Sequence, residues 1–315
     1  MLDRKSPVEA WRSVESERIT VLDLERQHAR YPKLSALLPE NSYSRKNLGF
    51  LEAFRTGAEI VWELDDDNFP IADARVLIDE AWFPLAHGDV FGIDESELAS
   101  ESLLAVNLYP AIYGEHCWPR GFPLDQIQTG RGFVHRLNVE NSEPSIQVPD
   151  IVQFGIDGEP DFDAVFRLSY PQRVRTARDV RIALPGPFVA PCNTQNTCWV
   201  KFRRAMETGA IFHPCTVPDR FSDILKGYIA QVFFTLGFGP PTAYQARNEH
   251  SFFEDFRGEI EMYLNLRAVL DVVQSFSSSE IETSREIMAL LVDGGIVDSR
   301  ELVVLDAFLD CSSVC

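Results

Sequence analysis

A short apolar run, Ile60-Val61-Trp62-Glu63-Leu64, hands the chain directly to three consecutive aspartates, Asp65, Asp66 and Asp67, followed by Asn68 and Pro70. The run predicts a buried strand, so three carboxylates arrive together at its carboxyl end. That edge is where open α/β sheets bind their ligands. Adjacent anions repel one another, and the arrangement is costly unless a cation sits among them. Hard oxygen ligands of this kind suit Mg²⁺ or Mn²⁺, ions that also take oxygens from substrate phosphates. The triplet therefore points to a metal–diphosphate site; a solvated acidic turn after a strand is the alternative.

The remaining composition narrows the classes. At 315 residues with 45% hydrophobic content and 22 Phe, the chain is long enough for one large domain or two ordinary ones, with a sizeable core. Acidic residues outnumber basic ones 48 to 29, a net charge of −19, and no basic run stands out, so neither nucleic acid nor an anionic membrane is an expected partner. No apolar stretch approaches the roughly 18 residues of a membrane span, and MLDRKSPVEA carries no signal-peptide core. Six cysteines without a CxxC pair are too sparse for a disulfide scaffold and fit a reducing, cytoplasmic setting.

Along the chain, a short helix is expected around Val8–Ser13 and a strand at Glu17–Leu24. A helix from Arg45 to about Thr56 is capped by Ser44, buries Leu48, Leu51 and Phe54, and is closed by Gly57. Further strands are expected at Leu103–Leu108, Ile151–Phe154 and Ala164–Leu168, and a polar loop at Cys192–Thr197. A helix opens at Pro218 and Asp219 and ends by Gly237 and Gly239; PPTAYQARNEH follows as a loop. Phe252–Phe276 is helical. Two more helices follow, with capping-box spacing at Ser279/Glu282 and Asp298/Glu301. The organisation is an α/β domain over 1–260 and a helical extension over 261–315.

Polar clusters fall at strand ends and loops, where sites are usually built. Arg45, Lys46 and Asn47 begin a helix, and two cations beside free N–H groups suit a diphosphate. Arg120-Gly121 combines a forked cation with a residue that lets backbone approach a ligand. Asn193, Gln195 and Asn196 offer amides for sugar hydroxyls, or an Asx-type turn. Asp223, on the helix after Asp219, could serve as a general base. His250 could add a metal ligand or phosphate contact. GxGxxG, P-loop, GxSxG and HExxH patterns are all absent, which removes support for nicotinamide redox chemistry, kinase-type phosphoryl transfer and serine hydrolysis.

SRKNLGF (44–50) followed by LDDDNFP resembles the plant UDP-arabinopyranose mutases, as do RGFP (120–123) and RFSDILKGY (220–228). A closer likeness is to the STELLO family of glycosyltransferase-like proteins, through WPRGFPL (118–124), VQFGIDGEPDFDAVF (152–166), VAPCNTQNT (189–197) and SDILKGY (222–228), in the same order. That resemblance implies a GT-A-like mixed sheet, a nucleotide-diphospho-sugar donor, a carbohydrate acceptor and Mn²⁺ or Mg²⁺. Asp65 and Asp67 would bridge metal and diphosphate, and Asp66 would orient ribose or sugar. Arg45 and Arg120 would hold nucleotide or phosphate, with Asp3 and Lys5 in the matched DRKSP segment beside them, and Asp223 would act on the acceptor side. The family's first strand lies upstream of that segment, so the sheet is expected to lack it, leaving an apolar edge open to self-association. The expected function is glycosyl transfer from a UDP-sugar; a nucleotide-sugar mutase and a non-catalytic scaffold are the rivals.

Overall fold

The computed structural model describes residues 1–71, 90–93, 104–114, 116–135, 137–139, 149–170, 173–176, 181–184, 186–246, 251–276 and 281–314. Their strands are β1 (Val61–Leu64), β2 (Asn68–Pro70), β3 (Val90–Ile93), β4 (Leu137–Val139), β5 (Ile151–Gly158), β6 (Arg181–Ala183), β7 (Asn196–Trp199) and β8 (Leu236–Gln245). They form one mixed sheet in the order β1-β7-β5-β8-β6-β3-β4, with β2 added to β8. β5 runs parallel to β8 and β3 to β6; the other pairs are antiparallel. The expected mixed α/β sheet is present.

Helices α1 (Val8–Arg12), α2 (Leu24–Arg30), α3 (Pro32–Leu37) and α4 (Lys46–Arg55) precede the acidic triplet. After it come α5 (Tyr109–Tyr113), α6 (Leu124–Thr129), α7 (Ala164–Ser169), α8 (Phe202–Glu207) and α9 (Asp219–Ala230). The chain closes with α10 (Phe252–Gln274), α11 (Ser284–Asp293) and α12 (Arg300–Val314). The centre of the molecule is α9, buried continuously from Phe221 to Ala230. A helix buried all round belongs inside a core rather than on its surface. Residues of α10, α11 and α12 join the same apolar cluster as those of α4, α8 and α9. α10 continues unbroken through residue 260, where the sequence suggested a boundary.

Several expectations are corrected. Glu17–Leu24 is not a ladder strand: only an isolated Ser16–Ile19 bridge forms, and Asp23 caps α2 by accepting the Arg26 N–H at 3.0 Å. Leu104–Leu108 makes only a single bridge, from Asn107 to Phe133. Ala164–Leu168 is helical because Asp163 accepts the Phe166 N–H at 2.6 Å, a side-chain cap that overrides the alternating pattern. Asn196 and Thr197, read as loop, begin β7. A short 3₁₀ turn at Tyr43–Arg45, capped by Ser42 rather than Ser44, leads into α4. α11 is capped by Thr283 instead of Ser279, which lies outside the described residues.

The largest miss is β8, a central strand spelled LGFGPPTAYQ. Its prolines are tolerated because β8 bulges there: Pro240 and Thr242 are skipped in the pairing with β5, on either side of the Gly155–Pro241 pair. A Cβ at Gly155 would stand 3.2 Å from the Pro241 nitrogen, so the bulge needs the smallest residue there.

Candidate functional site

β1, β5 and β8 point the same way, since β7 is antiparallel to both β1 and β5. Their carboxyl ends therefore share one edge of the sheet. Asp65, Asp66 and Asp67 leave β1 at Leu64 and return as β2, whose Asn68 pairs with Gln245 at the end of β8. The acidic turn thus lies across the carboxyl edge, as the sequence suggested. It borders a cleft of about 710 Å³ lined also by Asp3, Lys5, Tyr43, Arg45, Lys46, Glu63, Arg120, Asp161, Gln195, Asp219, Arg220, Asp223 and Gln245.

Beneath the turn lies a network that sequence reasoning missed. Glu63 is buried on β1 and accepts Lys226 Nζ on both oxygens, at 3.1 and 3.0 Å, and Trp199 Nε1 at 3.1 Å. Lys226 Nζ also reaches His213 Nε2 at 2.9 Å. Lys46 stands between this network and the cleft, donating to Asp65 at 3.0 Å and Thr194 at 3.3 Å, with Glu63 3.6 Å away. Burial opposes both charges, yet Lys226 and Lys46 hold the Glu63 carboxyl well below its usual range, and Asp65 and Glu63 hold the Lys46 ammonium above its own. Burial, reinforced by Lys226, pushes His213 down to about 4, so the ring is neutral. The one available signal was Glu63 itself, a charge inside an apolar strand.

Gln245 donates to both oxygens of Asp67 at 2.9 Å and accepts from Gln195, fixing one end of the turn. Asp66 is exposed, and Lys5 is exposed on the rim with no ion pair to a described residue. Asp3 accepts the Arg4 and Asn41 N–H groups, so it shapes its loop. Asp219 does the same for the α4 approach, accepting from Ser42 Oγ at 2.8 Å and Tyr43 N at 2.9 Å.

Other expected site residues carry structure instead. The Arg45 guanidinium turns into the protein and donates to Gln27, Ser35 and the Leu38 carbonyl at 2.8 to 3.1 Å. Arg120 is clamped between two carboxylates: it bonds Asp161 at 3.2 and 2.6 Å and Asp223 twice at 2.8 Å, and donates to the Arg220 carbonyl. Neither its fork nor the Asp223 oxygens face the cleft uncommitted. Gly121 adopts φ +84° and its Cβ would meet Ile224 Cγ2 at 2.5 Å, so it serves helix packing. Asn193 and Asn196 are buried and bonded to Gln153, Gln195, Gly155, Thr242 and Trp62; of the three amides, only Gln195 borders the cleft. His250 lies outside the described residues.

No protein-family model matches the chain. Two curated proteins of Arabidopsis thaliana do: Probable glycosyltransferase STELLO1 is 24% identical over 298 residues, and Probable glycosyltransferase STELLO2 is 24% identical over 303 residues. The chain is STELLO-like. Each alignment takes in 86% of it but only 36% of either relative. The STELLO-like chain thus spans about a third of the length of the relatives it matches. Among its described residues no helix is long and apolar enough to cross a membrane.

Proposed function

We propose that the chain is a GT-A-type glycosyltransferase whose cleft binds a nucleotide-diphospho-sugar, a UDP-sugar in the first instance. The observation that carries this reading is the acidic turn lying across the carboxyl edge of the sheet with Lys46 and Lys5 beside it, in a chain similar to two probable glycosyltransferases. Carboxylates for a cation and ammonium groups for phosphates are the two halves of a metal–diphosphate site.

The donor set fits Mn²⁺ or Mg²⁺. Among the described residues no three His, Cys, Asp or Glu side chains converge as a closed metal group. Magnesium-type ions need no such cage, since one or two carboxylates suffice when diphosphate and water complete the shell. Asp65 and Asp67 would supply them, and Asn68 Oδ1, a buried oxygen with no partner, follows in sequence. A bound ion would offset charge on the departing nucleotide diphosphate. Lys46 and Lys5 would contact the phosphates, and Gln245 keeps Asp67 turned to the edge. Asp223 can accept a proton from an acceptor hydroxyl only after Arg120 releases one of its oxygens, since both are engaged. That lock favours a second reading, a protein that binds the donor without transferring it.

Calorimetric titration of UDP-sugars with Mn²⁺ tests the site. Metal-dependent binding that falls at least about tenfold in Asp65→Asn/Asp67→Asn is expected. A folded wild-type chain that binds no nucleotide sugar refutes the donor site. Binding with no transfer of the sugar to any acceptor, and so no UDP set free, selects the second reading.

A further inference from the structure

The exposed face of α10 breaks the pattern of an acidic surface. Phe253, Phe256, Ile260 and Leu264 follow one another at spacings of three, four and four residues, which places them on one stripe of the helix. Phe253 is 78% exposed and Leu264 80%. α7 packs alongside, tied by the Ala164 N–H donating to Glu259 at 3.0 Å, and adds Val165, Leu168 and Tyr170, all exposed. Single exposed apolar residues are ordinary, whereas a continuous stripe of them marks a contact surface.

The charges beside the stripe indicate what covers it. Arg257 and Glu261 flank the same side, four residues apart, with Ile260 near their midpoint. Arg257 pairs only weakly, with Glu254 of its own exposed turn at 2.6 Å, and Glu261 has no ion pair to a described residue. When two such helices cross antiparallel about a two-fold axis at Ile260, Phe256 meets Leu264 of the other copy and Arg257 comes within about 3 Å, along the helix axis, of the level of the other copy's Glu261, each contact occurring twice. Arg267 at the far end comes over Phe253, a cation on an aromatic face. A surface that is complementary to itself, in shape and in charge order, is what an isologous interface requires.

We infer that this face of α10, with the adjoining α7 residues, is the contact between two copies of the chain. The stripe must provide the attraction, because the two copies carry −19 each and repel at long range. Donor binding in the cleft does not enter the inference, which stands apart from the proposed activity.

Sedimentation equilibrium on the full chain over about 1–100 μM tests it. A dimer is expected in the wild type. Leu264→Glu, at a position too exposed to disturb folding, should give monomers with the far-UV circular dichroism of the wild type. Arg257→Glu and Glu261→Arg should each weaken dimerisation at least about tenfold by setting like charges together twice, while the double exchange restores it to within about threefold. A wild type monomeric throughout, a dimer that survives Leu264→Glu, or single charge variants as weak as the double overturns the inference.

Discussion

His213 offers the sharpest test of the buried network. The ring lies fully inside the core, stacked on Phe50 at 6.0 Å between centroids, with Nε2 accepting from Lys226 and Nδ1 buried without a partner. Protonating it would place a second cation 2.9 Å from Lys226 Nζ. Its folded value of about 4 lies below the ordinary 6.5 of the unfolded chain, so the unfolded state takes up the proton first as pH falls. Stability from this group is therefore complete above pH 6.5 and is lost between 6.5 and about 4. The loss between pH 7 and pH 5 is about 2 kcal/mol, close to a twentyfold change in the folding constant. Raised carboxyls such as Asp65, Asp163 and Glu259 act in the opposite sense, gaining stability on acidification, but they are common to wild type and variant. Urea unfolding of wild type and His213→Gln at both pH values isolates the histidine. Its removal should flatten the pH dependence by about 2 kcal/mol, whatever it costs at neutral pH. Equal pH slopes in the two proteins would refute a neutral, buried His213.

Two further outcomes follow from distances at the site. Lys46 holds Asp65 at 3.0 Å, so an incoming cation must displace it; Lys46→Met should bind Mn²⁺ alone about tenfold more tightly and the nucleotide sugar more weakly, read by calorimetry. Unchanged cation affinity would mean that Asp65 is not a ligand. At Gly227 a Cβ would stand 2.0 Å from the Cys192 carbonyl oxygen. Gly227→Ala should therefore lose about 3 kcal/mol in urea unfolding instead of gaining the usual ~1 kcal/mol of a helical alanine, and a stabilised variant would show that the contact yields.

What the chain announced was local chemistry. The acidic turn at a strand end was visible because three like charges after an apolar run are hard to place anywhere else. α4, α9 and α10 were visible through period and punctuation. β8 was hidden, since PPTAYQ looks like loop until β8 is known to bulge against β5 beside Gly155. Arg120 and Asp223 were recognisable as site-edge residues, but that each is the other's partner needed the approach of residues 103 positions apart. Asn193 and Asn196 suited sugars as well as turns, and burial decided between those uses. Glu63, Lys226 and His213 had no motif: their meeting is a consequence of β1 lying at the sheet margin over α9.

The acidic turn begins on the marginal strand β1 and ends as β2, paired to β8, having passed the ends of β7 and β5. Its shape is therefore set by four strands drawn from residues 61 to 245, none adjacent to all the others in the chain. Such a site is complete only when the long-range pairings have closed. Occupancy of the cleft is consequently a gauge of the finished sheet. A lesion far from it, such as a filled Gly155, should abolish ligand recognition while helical content persists, and a tightly held ligand should act as a folding chaperone for the whole domain.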